Sequence, residues 1–252
     1  MFKTMSSLSL LTLCSLIHPT ANSNPKIYVE QKVDEKTASA ICGEQPVIRV
    51  RGAYACAICP TFADADIPEP MLLQKMVLGK FSNSEADEIV VDTEGCEPHS
   101  NNFGGMILLE QLDEELSIRY YEPGYRLNEC LKFESSKGRD VLVCNEIYQS
   151  QGNVFGQYAA FRFGLEEASW RDLQNWIYTQ DGEFIIEPTK AQQADLNDDG
   201  ILDLVLSFNA RGTKISTKKY TINYLFDGHI FTLADDSENT KEQLDALFSE
   251  WN

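Results

Sequence analysis

The sequence predicts an all-β protein: a propeller-like array of four-stranded antiparallel blades, three of them clear, with an N-terminal elaboration and a short C-terminal helix. Three observations predict it. Strand signals recur along the chain at Glu88–Asp92, Gly105–Leu109, Val141–Val143, Tyr158–Phe163, Leu204–Phe208 and Tyr220–Phe226, each rich in β-branched or aliphatic and aromatic residues and bounded by Gly, Asn or Asp. Three segments align without gaps. Helical periodicity stays weak until the last residues.

The alignment defines the repeat. Phe81, Phe133 and Leu196 each stand seven places before an acid (Glu88, Asp140, Asp203), and an apolar triplet follows each acid: Ile89-Val90-Val91, Val141-Leu142-Val143 and Leu204-Val205-Leu206. Phe133 follows Phe81 by 52 residues and Leu196 follows Phe133 by 63, spacings at which self-similarity indicates blades or solenoid units. Each repeat reads as four strands, near 72–80, 88–94, 104–111 and 115–121; near 127–133, 140–147, 157–163 and 174–180; and near 183–193, 202–208, 218–226 and 229–233. Four antiparallel strands per unit shelter most sheet edges by radial repetition.

The flanking elements follow in order. Residues 1–23 read as a cleaved export signal: Lys3, a largely apolar stretch from Leu8 to Ile17 too short to span a bilayer, then small residues with Ala21 and Ser23 before the cut. The bulky Leu13 before Cys14 argues against lipid attachment. Residues 24–70 form a disulfide-bearing segment or a degenerate fourth blade, with strand signals at Ile27–Glu30 and Pro46–Arg51. Residues 71–235 hold the three repeats. In 236–252, Leu244, Leu247 and Phe248 share one helical face.

Charge excludes one class of partner. The chain carries a net charge of −18, and removing residues 1–23 takes away Lys3 and no acid, giving −19. Such a surface repels phosphate backbones, so no nucleic acid is expected, and it suits divalent cations or a basic protein. No stretch is apolar enough to span a membrane, so the mature chain is expected to be secreted or periplasmic.

Metal-ligand chemistry concentrates in Asp195-Leu-Asn-Asp-Asp-Gly-Ile-Leu-Asp203. Side-chain oxygens fall at positions 1, 3, 5 and 9 (Asp195, Asn197, Asp199, Asp203), Gly200 permits a sharp bend, and the Ile201 carbonyl can add a backbone ligand. Calcium takes six to eight such hard oxygens. An EF-hand needs a bidentate Glu at position 12, where this chain has Leu206 in a strand signal. The segment resembles the calcium loop of FG-GAP and VCBS repeats, found in integrin-α-like propellers; the likeness is good over 194–206, weaker over 71–235 and absent from 24–60. The resemblance implies that Asp195, Asn197, Asp199, Ile201 and Asp203 bind calcium between the first two strands of a blade, in a structural role. The corresponding positions of the other loops depart from it: Lys80, Ser82, Ser84 and Glu88 in the first, Lys132, Glu134, Ser136 and Asp140 in the second. A lysine in the leading position puts an ammonium beside a would-be dication, so one ion is expected.

Six cysteines remain after the export signal: Cys42, Cys56, Cys59, Cys96, Cys130 and Cys144. In an exported chain an even count points to disulfides. Cys130 and Cys144 flank the second repeat loop on strands that should pair, and are expected to bridge; Cys42, Cys56, Cys59 and Cys96 share the rest in an unassigned order. Cys56-Ala-Ile-Cys59 could instead be a redox dithiol, but no βαβ unit surrounds it, and a zinc site would want a second pair. His99 and His229 read as loop and turn residues, and no G-x-S-x-G elbow exists. Tyr120, Tyr121, Tyr125, Trp170 and Trp176 are either blade core or a contact surface for sugar or protein.

The expected function is therefore an exported, calcium-stabilised, non-catalytic module that binds a protein or carbohydrate ligand. The alternatives are an exported hydrolase or lyase on the same scaffold, since fold does not fix function, and an acidic periplasmic inhibitor of a basic enzyme.

Overall fold

A computed structural model describes residues 30–63, 69–96, 104–150, 153–179, 185–212 and 215–251. The expected export signal lies outside these residues, as does His99. Fifteen strands and two α-helices are present among them: β1 (Gln31–Lys32), α1 (Glu35–Cys42), β2 (Val47–Val50), β3 (Ala53–Cys56), β4 (Met71–Gly79), β5 (Asp87–Glu94), β6 (Gly104–Leu112), β7 (Glu115–Pro123), β8 (Leu131–Glu134), β9 (Asp140–Ser150), β10 (Asn153–Phe163), β11 (Ala168–Tyr178), β12 (Ile185–Ala194), β13 (Asp203–Gly212), β14 (Ile215–Phe226), β15 (Phe231–Leu233) and α2 (Glu238–Trp251). The mostly antiparallel-β architecture, the four strands in each repeat and the closing helix agree with the sequence reading.

The strands form two antiparallel sheets. The first runs β2-β3-β4-β5-β6-β7, with β1 also paired to β4; the second runs β15-β14-β13-β12-β11-β10-β9-β8. The second and third repeats thus share one eight-stranded sheet, although the sequence set them apart as units. The join is slight: β11 meets β12 only through Ile177↔Ile186 and Tyr178↔Ile185, against ten paired positions between β10 and β11. The expected strand near 127–133 is also shorter than its pattern, because Arg126 and Leu127 give their amides to side chains and Glu129 turns to φ 47°.

Strand alternation explains the apolar triplets. Ile89 and Val91 face one core with Leu73, Ile107, Leu109 and Ile41 of α1, while Val90 faces another with Met106, Leu108, Leu142 and Phe161. Val141 and Val143 turn the opposite way from Leu142, into a third core with Leu204, Leu206, Phe208 and Phe226. These strands are buried on both faces, so they read as continuous apolar runs rather than alternation. The four-strand units therefore stack face to face. On the third unit, Lys219 and Thr221 of the opposite face are exposed and Ser207 and Asn223 half-buried, a polar surface that ends the stack as a terminal repeat must.

The N-terminal segment adds to the first unit. β1 and the β2–β3 hairpin lengthen its sheet, and α1 covers its outer face with Ala38 and Ile41. Asp34 caps this helix by accepting from the Thr37 amide at 2.7 Å, and Gly43 (φ 61°) ends it. Two helical turns are too few for periodicity to reveal, so the sequence pattern showed no helix here.

At Gly156 two backbones and an indole crowd together. A Cβ there would lie 1.9 Å from the Glu146 carbonyl oxygen and 2.6 Å from the Trp176 ring. Gly156→Ala is expected to destabilise the protein by about 2–3 kcal/mol, since an overfilled core has to move backbone to accommodate it. Chemical denaturation measures it; a loss under about 0.5 kcal/mol, the range of ordinary surface substitutions, would show that the strands can part cheaply.

Candidate calcium loop and adjoining groove

In the first and third repeats the aligned acid closes its own loop, and in the second it reaches across to the first. Asp203 is fully buried, and its two oxygens accept from the Leu196 amide at 2.9 Å and the Phe226 amide at 2.7 Å. Glu88, 1% exposed, accepts from the Phe81 amide at 2.5 Å, the Ser82 amide at 2.7 Å and the Ser82 hydroxyl. Asp140 accepts from the Lys80 amide at 2.9 Å, tying the second loop to the first. The aligned acid is therefore first a staple for loop amides, since a buried N–H without a partner costs more than a bond gains.

The third loop differs from the second in its charge. In the second, the Lys132 ammonium lies 3.3 Å from Asp140, so the leading and closing positions neutralise each other. In the third, Asp195, Asp198, Asp199 and Asp203 fall within nine residues, and none has an ion-pair partner among the described residues. Positive φ at Asp198 (59°) and Gly200 (84°) folds this loop tightly. Asp195 Oδ1 and Asn197 Oδ1 both accept from the Asp199 amide, at 3.2 and 3.3 Å; Asp195 Oδ2 accepts from the Gly200 amide at 2.9 Å, and Asp199 Oδ1 from Ile201 at 2.8 Å. Asn197 also donates to Asp199 Oδ2 at 2.9 Å.

Of the five sequence-predicted ligands, the structure thus brings Asp195, Asn197 and Asp199 together at the surface. Asp203 sits beneath them, turned to backbone amides, and the described residues contain no group of three or more His, Cys, Asp or Glu gathered as a metal site. The donor set fits calcium chemically. It is all oxygen and strongly anionic, and each Asp203 oxygen, with one amide bond, keeps a second lone pair.

The loop also forms the wall of a groove. A cavity of about 950 Å³ opens between the loop ends of the units, bounded by Glu30, Leu78, Glu134, Gln193, Ile201 and Leu202, with Phe133 and Phe226 at its base. Of its ionisable groups, Glu30 takes Lys75 at 3.0 Å and the Cys130 amide at 2.9 Å, Asp140 takes Lys132, and Glu134 is exposed.

The cysteines form three bridges: Cys130–Cys144, as expected, with Cys42–Cys56 and Cys59–Cys96. Cys56 and Cys59 belong to different bridges, so the C-x-x-C segment is no dithiol pair. His229 lies in a turn whose Asp227 accepts from the His229 and Ile230 amides, both at 2.7 Å. Trp176 is core, its Nε1 donating to Asn145 at 2.8 Å; Tyr125 packs at a tilt against Trp170, ring centroids 4.3 Å apart, and Trp170 is 44% exposed. No helix among the described residues is long and apolar enough to cross a membrane.

No family model, curated protein or solved structure matches the chain.

Proposed function

We propose that the protein is an exported, non-catalytic binding module of the FG-GAP/VCBS kind, a sector of propeller-like blades in which one calcium ion braces the Asp195–Asp203 loop against a ligand groove. The observation that carries this reading is the uncompensated charge of that loop, beside a sister loop where Lys132 supplies the compensation internally. Asp195, Asn197, Asp199, Asp203 and the Ile201 carbonyl would hold the ion, whose charge would offset the clustered carboxylates. Because Gly200, Ile201 and Leu202 line the groove, fixing the loop fixes that wall. Glu30 and Asp140 are each engaged, by Lys75 and Lys132, and so make poor general acids or bases. Three disulfides suit an oxidising compartment.

Calcium at about a hundred times its dissociation constant should stabilise the folded chain by about 2.7 kcal/mol. For a chain of this size that raises the melting temperature by about 5–10 °C. Native mass spectrometry should count one ion. Asp195→Ala and Asp199→Ala, at exposed positions, should abolish the shift without lowering the melting temperature of the chelated protein. Identical melting of the wild type in calcium and in chelator, with no ion retained, refutes the assignment.

A further inference from the structure

With 39 acidic and 21 basic side chains, a guanidinium in this protein has carboxylates to choose from. Arg139 and Arg162 choose none: neither makes an ion pair among the described residues, and they gather with Arg171. Three elements bring them together. Arg162 on β10 and Arg171 on β11 are diagonal neighbours, because Arg162 pairs with Ser169 and Ala160 with Arg171. The face they share turns to the third unit. Arg139 ends the second repeat loop. His229 comes from the β14–β15 turn, held in place by the Ser136 amide and hydroxyl, which donate to the Gly228 carbonyl at 2.7 and 3.1 Å.

Ser135, Arg139, Arg162 and His229 line a small cavity of about 40 Å³. The acids nearby are already engaged. Asp227 accepts from two turn amides, and Asp140, which also borders the cavity, is taken by Lys132 and the Lys80 amide. Burial first, then the like charges of Arg139 and Arg171, lower the Arg162 pKa, with Asp227 opposing. Two guanidiniums and His229 line a cavity whose other walls include Phe81, Val141 and Phe163; Arg171 stands behind them, donating to the Phe231 carbonyl at 3.0 Å, and the two nearby carboxylates are engaged, so in a strongly acidic protein this is a place prepared for negative charge.

We propose that this notch binds an oxyanion group, the carboxylate, phosphate or sulfate of a ligand whose remainder lies in the large groove. The space suits it: about 40 Å³ admits roughly three water-sized centres, close to the size of such a head group. The groove adjoins the notch, since Ser135 and Asp140 border both. Placement of the ligand's remainder rests on reading the groove as a ligand site; the oxyanion site itself does not, and none of its residues is a proposed calcium ligand.

Inorganic phosphate is the first probe, titrated calorimetrically into the whole chain in calcium-free buffer of low ionic strength. Saturable binding of one phosphate is expected. Arg139→Gln and Arg162→Gln should each weaken it by about tenfold or more, the loss of a charge-assisted hydrogen bond. Lys218→Gln, which removes the same charge from an exposed strand position, should leave it unchanged. Without phosphate, Arg162→Gln should melt no lower than wild type, because it relieves like-charge repulsion. Acetate and glucuronate as competitors separate the sources: displacement of phosphate assigns a carboxylate ligand, and its absence assigns a tetrahedral anion. No saturable binding by folded wild type, or equal weakening by Lys218→Gln, overturns the proposal. Calcium titration of the same sample keeps the two readings apart: phosphate failing while calcium binds removes the oxyanion site alone, and the reverse removes the calcium loop alone.

Discussion

Arg126→Ala is expected to lower the unfolding free energy by about 3–5 kcal/mol, the cost of leaving one member of a buried ion pair without the other. Arg126 follows the end of β7, where the chain crosses from the first unit to the second. Its Nε and Nη2 donate to the two oxygens of Asp92 at 2.8 and 3.0 Å, and the next amide, Leu127, also donates to Asp92 at 3.0 Å. The Arg126 amide donates to Glu146 in the second unit at 3.0 Å. One residue thus holds the connection to both units. Asp92 is 1% exposed.

The loss should depend on pH. Burial pushes the Asp92 carboxyl up, while the hydrogen bond and charge of Arg126, the Leu127 amide and the charge of Lys75 pull it back. Removing Arg126 removes the two largest opposing influences, so the carboxyl rises further. A carboxyl whose folded pKa lies above its unfolded one contributes stability below the unfolded value and loses it as pH rises through the folded value. The deficit of Arg126→Ala should therefore be smaller near the ordinary aspartate value of about 3.9 and largest at neutral pH and above. Urea unfolding at acid and neutral pH measures it. A deficit that is constant across that range would mean Asp92 stays ionised without its partner.

Asp203→Ala is expected to cost about 4 kcal/mol, and to do so in chelator as well as in calcium. Two amides converge on this carboxylate, Leu196 of the loop and Phe226 at the end of β14, and an amide left buried without an acceptor costs about 1–3 kcal/mol. Asp195, at an exposed position, touches only the loop's own amides at Asp199 and Gly200, so Asp195→Ala should change chelated stability little. The pair divides two roles that share one sequence motif: Asp203 builds the loop, and Asp195 with Asp199 would hold the ion. Equal stability losses for Asp203→Ala and Asp195→Ala in chelator would erase that division.

The repeat pattern made the four-strand units legible because short apolar runs and an acid at a fixed offset before them are local properties of the chain. The Cys130–Cys144 bridge was legible for the same reason, since both cysteines belong to one hairpin. Cys42–Cys56 was not, because Cys42 ends α1, a helix the pattern did not reveal, and Cys59–Cys96 was not, because sequence does not say which distant segments will be neighbours. The candidate calcium loop could be found from spacing alone; that its last acid is a buried staple needed Phe226, 23 residues away, in place.

By itself, then, the sequence determined an acidic β-repeat chain with its oxygen-rich loop and one of its three disulfides, Cys130–Cys144, because each of these is written in residues close together. Only the tertiary structure decided that the second and third units share a sheet, that Arg126 clamps Asp92, and that Arg139, Arg162 and His229 line one notch. Those contacts join residues from separate strands and turns, and burial of apolar faces, which sets the stacking of the units, places the polar groups wherever the stack happens to bring them.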